Sequence, residues 1–497
     1  MLGPLKRILA LLAFRVFAVY LVRSWFVPDE YFQSTEVAHH WLFGTGHLTW
    51  EWDVGLRSAL HPLLCGVALL PAKIFNFLTP SMIFNLPRIL HAFIFALGDL
   101  SFLNLAERLH INHASARYAF AMYLSNWFIF YCSPRTLANS LETALLLCAL
   151  RWYPFPGIHP PKVTWPYMLL GALSIMIRPT AAVFWLIFGL SHLYHSTERK
   201  SALTTAILVV PSVLAATTLL DTLYYGRLTL SVYNFLSFNV LQGGSAYFGV
   251  HPWWWYFRDG FPALLHLQLL PVIHSFFSRQ QTVTRLPLYA AMLYLAVHTC
   301  LPHKEHRFLL PALPLVLLYT GAFSHCRWIR VQRLVTTVII AVNTALIFYF
   351  ALWHQVGPFA AARFVSKDAA VISGQARVIT LMPCFSLPEY AYFHDRLQTF
   401  RSLDCTPPVI AHNQTSVEGW KDEADAFYED PRTWVNINRD MVGSMTHAVM
   451  YENIYQLLEP LLWELGFNQC SRHFHAHFLT SSRQDNFIVV ACNNKLL

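Results

Sequence analysis

The sequence predicts an α-helical protein that crosses a membrane many times and ends in a small mixed α/β domain. Its composition is 55% hydrophobic and only 12% charged, whereas soluble domains carry about 25% charged residues. Apolar stretches long enough to cross a bilayer recur from residue 7 to residue 354. Beyond Gln355, short strand-like runs alternate with polar turns. Together these three observations predict a membrane domain over 1–354 and a separate domain over 355–497.

The charge of the chain favours membrane lipids as partners and argues against nucleic acid. The formal net charge is +8, but no basic stripe interleaved with aromatic residues is present, as a nucleic-acid interface would require. Lys and Arg are instead expected in the cytosolic loops of a membrane protein.

The apolar stretches predict the individual membrane spans. Because a helix needs about 20 residues to cross a bilayer, we expect about eleven spans. They lie near 7–27, 59–79, 86–105, 117–131, 137–151, 167–190, 203–220, 262–278, 286–301, 308–324 and 332–354. The segments 117–131 and 137–151 are short and could be re-entrant.

The parity of the spans predicts the topology. The first stretch is longer than a signal-peptide core and lacks a small-residue cleavage site, so we interpret it as an anchor with a cytosolic N-terminus. An odd number of spans then places the loops 28–58 and 302–307 and the tail 355–497 in the lumen. The connection Glu198–Lys200 would be cytosolic.

The tail carries features of an oxidising compartment. Its four cysteines are Cys384, Cys405, Cys470 and Cys492, and they could form disulfides or remain buried thiols. We expect Cys384 to pair with Cys405, since the two are close in sequence and flank a polar stretch. Asn413 begins an Asn-Gln-Thr glycosylation sequon.

The most informative segment follows the first span and begins Pro28-Asp29-Glu30. Proline with adjacent acids is typical of a helix start. On such a helix, one polar face would carry Asp29, Gln33, Glu36 and His40. A carboxylate here could act as a general base on a sugar hydroxyl. The alternatives are charge complementing the helix dipole and, less favoured, metal binding.

Aromatic and charged residues continue along the same loop. Trp50 stands beside Glu51, and Arg57 follows. A tryptophan ring can stack on the apolar face of a sugar while a neighbouring carboxylate accepts hydrogen bonds from its hydroxyl groups. An interfacial belt of aromatic residues is the alternative interpretation.

A short turn between two apolar stretches contains four potential cations. They are His303, Lys304, His306 and Arg307. Such a set can hold a phosphate, because arginine forms bidentate hydrogen bonds and lysine adds a point charge. No metal is expected, since His-Lys-Glu-His differs from the His-Glu-x-x-His pattern of zinc enzymes. Basic side chains that extend to lipid headgroups are the alternative.

Charged residues also occur within the apolar stretches. Arg178 lies inside one of them and is a candidate functional residue, pending its partner. Arg88 and Asp99 fall in the third predicted span, where pairing within the helix bundle is more expected than contact with a substrate.

Three of these segments resemble the signatures of the glycosyltransferase family 22 mannosyltransferases. They are 26–36 together with Thr49–Trp52 and Arg57, then 303–308, and a third, Cys132-Ser133-Pro134-Arg135-Thr136 with Asn139 and Glu142. The resemblance extends over nearly the whole chain. Phe32 departs from it, since tryptophan is expected there. Thr49–Trp52, 249–252, 382–384 and 422–428 resemble the branch that adds the third mannose to the precursor of the glycosylphosphatidylinositol (GPI) anchor.

The resemblance implies a GT-C-type transmembrane bundle with lumenal loops, located in the endoplasmic reticulum membrane. The donor would be dolichyl-phosphate-mannose and the acceptor a GPI precursor glycolipid, with inversion to an α-1,2-mannoside and no metal or other cofactor. Asp29 would be the base, while Glu30 and Glu36 would orient it or bind sugar. Gln33, Trp50, Glu51 and Arg57 would bind the acceptor. The cations of the 303–307 turn, with Arg178, would hold the donor phosphate.

Other functions remain open from the sequence. Another member of the family could add the fourth GPI mannose or extend the lipid-linked oligosaccharide of N-glycosylation. A lipid transporter could use Arg178 and Asp99 to line a pathway, although transporters place such residues at mid-membrane in both halves of a repeat. A non-catalytic subunit of a lipid-modifying complex would tolerate the loss of Asp29.

Overall fold

The computed structural model describes residues 3–75, 78–278, 282–407 and 421–496. The chain divides into two compact units. The first comprises Met1–Tyr20, Gly55–His61 and Arg88–Ile347, and the second comprises Leu21–Val54, Pro62–Pro87 and Phe348–Leu497. The prediction of a helical membrane protein with a small sheet domain is confirmed.

Apolar helices make up much of the described chain. Four are long and apolar enough to cross a membrane: Pro80–Leu109, Arg199–Tyr225, Tyr256–Phe277 and Ile329–Val365. Shorter apolar helices are Leu60–Ile74, Ala138–Leu150, Trp165–Ile177, Leu286–Cys300 and Ala312–His325. The protein is therefore a multi-pass membrane protein.

The remaining helices are shorter or less apolar. Pro4–Leu21, His113–Ser125, Trp127–Cys132, Ala182–His195, Ser231–Leu236, Phe261–Leu265 and Leu269–Phe277 are α-helical, and the long C-terminal apolar segment consists of the α-helices Ile329–Leu352 and Gly357–Val365. Turns of 3-10 helix occupy Pro179–Ala181, Gly244–Phe248, His266–Gln268, His306–Leu309 and Leu318–His325, and π turns occupy Tyr31–Thr35, Ser237–Leu241 and Tyr256–Gly260.

The predicted spans 117–131 and 167–190 are broken, and in both cases the sequence carries the cause. The stretch 117–131 stops at Asn126, whose side chain caps the next helix by accepting a hydrogen bond from the backbone N–H of Ile129 (2.9 Å). The stretch 167–190 stops at Arg178, because Pro179 has no N–H to donate and favours an extended residue before it.

A buried ion pair lies in the core of the first unit. Arg15 donates to both oxygens of Asp99, at 2.7 Å from Nε and 2.8 Å from Nη2. Tyr123 donates to the same carboxylate at 2.6 Å, and Arg15 also donates to Ser133. Arg15 and Asp99 are both fully buried, which fits the expectation that Asp99 is paired within the bundle.

The second unit is built around a five-stranded sheet. Its strands are β1 (Ala376–Leu381), β2 (Leu397–Ser402), β3 (His447–Tyr451), β4 (Phe467–Phe474) and β5 (Phe487–Asn493). They are arranged in the order β2-β1-β3-β5-β4. β1 pairs in parallel with β2 and β3, whereas β5 pairs antiparallel with β3 and β4. The sheet is therefore mixed.

Helices cover both faces of the sheet, which explains the apolar composition of β1. Ile379 and Leu381 pack into one core cluster with residues of the helices Glu423–Glu429 and Glu452–Leu465. Val378, on the opposite face, packs with residues of Gly357–Val365. The alternation follows the two-residue period of a strand. Helices Pro431–Ile437, Arg439–Gly443, Ala369–Ile372 and Tyr390–Phe393 complete the unit.

Two disulfides join neighbouring strands or their ends. Cys384 bonds to Cys405 and Cys470 to Cys492. Cys384 lies three residues beyond the end of β1, and Cys405 lies three residues beyond the end of β2. Because these strands are parallel, their carboxyl ends meet at the same edge of the sheet. The sequon at Asn413 lies outside the described residues.

Candidate active site

The predicted site residues fall in both units. Asp29, Glu30, Gln33, Glu36, Trp50 and Glu51 belong to the second unit, whereas Arg57, Arg178, His303, Lys304, His306 and Arg307 belong to the first.

The acidic segment of the second unit is not one continuous α-helix. Tyr31–Thr35 forms a π turn and Glu36–Phe43 an α-helix that ends at Gly44 in the left-handed conformation (φ 78°). A π turn is wider than an α turn and occurs frequently at functional sites. The segment that carries Asp29, Gln33, Glu36 and His40 was predicted as one α-helix, and the π turn interrupts it and changes the spacing between these residues.

Asp29 and Glu30 differ in exposure. Glu30 is fully buried, whereas Asp29 is only partly buried. The Glu30 backbone carbonyl accepts a hydrogen bond from the Ser34 hydroxyl at 2.5 Å. Of the two adjacent acids, Asp29 is thus the one that a substrate can reach.

The Trp-Glu-Trp segment is tied to the π turn. Gln33 donates to both oxygens of Glu51, at 3.3 and 3.2 Å, and the Trp52 indole donates to the Phe32 carbonyl at 3.0 Å. Trp50 is 7% exposed. Glu51 remains partly exposed, so its carboxylate is more accessible than the Trp50 ring.

Glu36 has a structural environment that the sequence did not predict. Its Oε1 accepts hydrogen bonds from the backbone N–H groups of Ala391 (2.8 Å) and Glu389 (3.2 Å), and its Oε2 accepts from that of His47 (3.3 Å). Gly46 approaches so closely that an added Cβ would lie 2.6 Å from the Glu36 carbonyl oxygen. The side chain is fully buried. These hydrogen bonds join Glu36 to the loop at His47 and to the segment at Glu389 and Ala391, and they fit the predicted orienting role.

The surroundings of Glu36 change its protonation. Burial, with the nearby Glu389 carboxylate as the next cause, raises the pKa of Glu36 to about 8. Glu389 also contacts His47, at 2.8 Å from its Oε2 to Nδ1. Burial acts to lower the pKa of His47, but the hydrogen bond and charge of Glu389 outweigh it and raise the pKa. Glu389 was missed because it lies more than 350 residues from Glu36 and carries no local motif.

In the first unit, Glu305 pairs with two of the four predicted cations. Its carboxylate receives Arg307 at 2.7 and 2.6 Å and His303 at 2.9 Å. Burial acts to raise the pKa of Glu305, but the charge of Arg307 and the hydrogen bonds from both partners hold the pKa well below its usual range. Much of the positive charge of Arg307 and of a protonated His303 is therefore compensated within the turn.

Lys304 has no acidic partner among the described residues. Its ammonium group donates to the backbone carbonyls of His251 (3.1 Å) and Leu301 (2.5 Å). Lys304 is 3% exposed, and no carboxylate within the described ranges lies within 4 Å of its Nζ. Burial lowers the pKa of Lys304. A buried ammonium group in this position favours an anionic ligand.

The other predicted residues of this unit have aromatic or acidic contacts. His306 lies against Trp255, with ring centroids 4.8 Å apart, and burial lowers its pKa. The Arg57 guanidinium lies 5.5 Å from the Phe235 ring centroid. Arg178 pairs with Glu142, 3.1 Å from Nε to Oε2, and donates to Asn139 at 2.9 Å. The third sequence signature thus supplies the partners of Arg178.

Comparison with known proteins identifies the family. The model of the Alg9-like mannosyltransferase family matches residues 7–394. The chain belongs to this family. The resemblance to the family 22 mannosyltransferases is thereby confirmed, and the protein is a membrane mannosyltransferase.

Relatives from plants and animals match over most of their length. Mannosyltransferase APTG1 of Arabidopsis thaliana is 32% identical, over 98% of this chain and 92% of that protein. GPI alpha-1,2-mannosyltransferase 3 of Homo sapiens is 32% identical, over 94% and 83%. GPI mannosyltransferase 3 of Drosophila melanogaster is 35% identical, over 91% and 81%.

A solved structure supports the fold. ArnT from Cupriavidus metallidurans bound to undecaprenyl phosphate superposes with a TM-score of 0.59 and 11% identity, over 98% of this chain and 97% of that one. The likeness shows that this mannosyltransferase has the GT-C-type fold.

Proposed function

We propose that this mannosyltransferase transfers mannose from dolichyl-phosphate-mannose to a GPI precursor glycolipid and forms the third, α-1,2-linked mannose. The buried ammonium group of Lys304, which has no acidic partner among the described residues, carries the donor assignment. The phosphodiester monoanion of this donor would supply the missing counter-charge, and a polyprenyl chain suits a protein that spans the membrane.

The acceptor assignment depends on the relatives. Two of the three proteins named above are GPI mannosyltransferases, and each aligns with more than nine-tenths of this chain. This favours the branch that adds the third GPI mannose over the members that extend the oligosaccharide of N-glycosylation or add a fourth GPI mannose.

On the donor side, the chain stabilises the charge that develops on the leaving group. As the bond between C1 of mannose and the phosphate oxygen breaks, negative charge accumulates on the departing dolichyl phosphate. Lys304 stabilises that charge at close range, and Arg307 contributes through its fixed position beside Glu305. These cations supply the electrostatic stabilisation that a metal ion supplies in other transferases, so we expect transfer to persist in the presence of a chelator.

On the acceptor side, Asp29 removes the proton of the attacking hydroxyl group. The acceptor oxygen forms its bond to C1 on the face opposite the phosphate, which inverts the configuration, and the proton passes to the Asp29 carboxylate. Asp29 is preferred to Glu30 because Glu30 is fully buried. Gln33, Glu51 and the loop held by Glu36 position the acceptor.

We further propose that the enzyme resides in the endoplasmic reticulum membrane, with the loop that carries Asp29 and the turn that carries Lys304 facing the lumen. Protease protection of a C-terminal epitope in sealed microsomes tests this. Digestion of the epitope from outside would contradict the topology.

The decisive experiment is mannose transfer by the purified protein. With dolichyl-phosphate-mannose and a GPI precursor that carries two mannoses, we expect a three-mannose product that an α-1,2-mannosidase can trim. Cells that lack the protein should accumulate the two-mannose precursor. Accumulation of a three-mannose precursor would favour the addition of the fourth mannose instead. Donor-independent movement of lipid, without transfer, would favour a transporter.

A further inference from the structure

A group of buried polar side chains in the first unit has no role in the proposed function so far. Asn139 and Glu142, from the third sequence signature, lie in the first turns of the helix Ala138–Leu150 and are fully buried. His298 lies near the end of the helix Leu286–Cys300 and is 1% exposed.

Each of these side chains has a polar atom without a hydrogen-bond partner in the part of the chain that the structure describes. Neither oxygen of Glu142 accepts a hydrogen bond, although Arg178 lies within ion-pair distance. Asn139 Nδ2 and His298 Nε2 also lack partners. Because buried polar groups in proteins are nearly always hydrogen-bonded, several unpartnered atoms in one region indicate a place for a polar ligand.

The group adjoins the turn that carries Lys304. The Arg178 and Arg307 guanidinium groups lie 5.2 and 5.3 Å from the centroid of the Phe308 ring. The His298 ring centroid is 6.2 Å from the same ring. Phe308 therefore connects the cationic turn with the unpartnered side chains.

The mixture of hydrogen-bonding groups indicates the chemistry of the ligand. Glu142 offers two acceptor oxygens, and its charge already compensates that of Arg178. Asn139 offers a donor, and His298 Nε2 can either donate or accept. A phosphate would be repelled by the Glu142 carboxylate. Hydroxyl groups, which both donate and accept, match the whole set.

We propose that Asn139, Glu142 and His298 bind the hydroxyl groups of the hexose that the donor lipid carries. The inference rests on the proposed function and deepens it by assigning the sugar-recognising residues of the donor site. In a sugar phosphate the hexose is bonded directly to the phosphate. A phosphate at Lys304 therefore places its sugar in the neighbouring region, where these atoms lack partners.

The test separates recognition of the sugar from recognition of the phosphate. Binding of dolichyl-phosphate-mannose and of dolichyl phosphate, without acceptor, is measured for the detergent-purified protein. The variant Glu142→Gln replaces one acceptor oxygen by an NH2 donor and removes the charge, whereas His298→Phe keeps an aromatic ring and removes both ring nitrogens. Lys304→Met removes the proposed phosphate contact. Asp221→Asn is the matched control, because Asp221 is a buried carboxylate already bonded by Ser58, Ala59 and Ser231.

We expect the wild-type protein to prefer the mannosylated lipid, and Glu142→Gln and His298→Phe to reduce that preference about tenfold or more. Lys304→Met should weaken the binding of both lipids but keep the preference for the mannosylated lipid. Asp221→Asn should also keep this preference. The inference is overturned if both Glu142→Gln and His298→Phe retain the wild-type preference. It is also overturned if they weaken only the binding of a GPI precursor, which would assign the site to the acceptor hexose. If the wild-type protein binds neither lipid, the result contradicts the proposed function itself, on which this inference rests.

Discussion

The carboxylate of Glu36 accepts a hydrogen bond from the backbone N–H of Ala391, 355 residues later in the chain, at 2.8 Å. With Glu389 and His47 beside it, Glu36 fastens the acidic loop to the C-terminal segment of the same unit. The position of Asp29 therefore depends on residues of the tail.

This arrangement predicts how stability changes with pH. The pKa of Glu36 in the folded protein is raised to about 8, above its usual value, and the pKa of His47 is also raised. A group with a raised pKa in the folded state stabilises the fold at low pH and loses that contribution as the pH rises through the raised value. The free energy of unfolding should therefore fall as the pH rises from about 5 to about 9.

Thermal unfolding at a series of pH values checks this prediction. Glu36→Gln should flatten the profile, because the amide keeps an acceptor for the backbone N–H groups but does not titrate. Asp430→Asn, at an exposed helix cap of the same unit, serves as the control and should retain the wild-type slope. A Glu36→Gln protein with an unchanged slope would show that other groups produce the pH dependence.

Replacement of the proposed base should abolish catalysis without affecting the fold. General-base catalysis contributes about 10²–10⁴-fold, so Asp29→Asn should lower the turnover rate by that factor while donor binding stays normal. Glu30→Gln should have a smaller effect. Asp53→Asn, an exposed acid in the same loop, should be neutral. If the Asp29→Asn protein keeps near-normal turnover and the Glu30→Gln protein is inactive, then Glu30 rather than Asp29 is the general base.

Loss of the buried ammonium group should weaken binding of the donor. Lys304→Met keeps the aliphatic stem and removes the charge, so kcat/KM for dolichyl-phosphate-mannose should fall about 10- to 100-fold, as for a lost hydrogen bond to a charged group. Lys200→Met, at an exposed position, provides the matched control. Unchanged donor kinetics in the Lys304→Met protein would contradict the phosphate assignment.

The sequence was sufficient for the fold class but not for the details of the site. Composition and apolar stretches predicted a membrane bundle, because burial in lipid requires long apolar segments. Spacing predicted one α-helix through Gln33 and Glu36, whereas the structure has a π turn at Tyr31–Thr35, which depends on tertiary packing. The partners of Arg178 and Arg307 could not be derived, because a list of basic residues does not reveal which carboxylate each one meets.

The disulfides of the second unit can be checked chemically. Peptide mapping without reduction should recover Cys384 linked to Cys405 and Cys470 linked to Cys492, whereas Cys300, an exposed thiol, should be alkylated. Recovery of alkylated Cys384 and Cys405 from the unreduced protein would contradict the first pair. The pairing of neighbouring strand ends also predicts that a reductant lowers the melting temperature of the protein.

Removal of one partner of the buried Arg15–Asp99 pair should destabilise the fold more than replacement of both partners by apolar residues. Arg15→Met leaves the Asp99 carboxylate buried with only Tyr123 as a described hydrogen-bond donor, and removal of one partner of a buried pair costs about 3–5 kcal/mol. The double variant Arg15→Met/Asp99→Leu removes both charges and should recover much of that loss, because apolar packing avoids the desolvation of two ions.

Denaturant unfolding in a fixed detergent measures the coupling between the two substitutions. The exposed pair of Arg439 and Glu464 (2.9 Å) provides a control cycle, for which the coupling should stay within about 1 kcal/mol because solvent screens the charges. If Arg15→Met and the double variant are equally unstable, the loss comes from packing around Arg15 rather than from an unpaired carboxylate. A double variant that is less stable than either single variant would show that Ser133 and Tyr123 also depend on the ion pair for their positions.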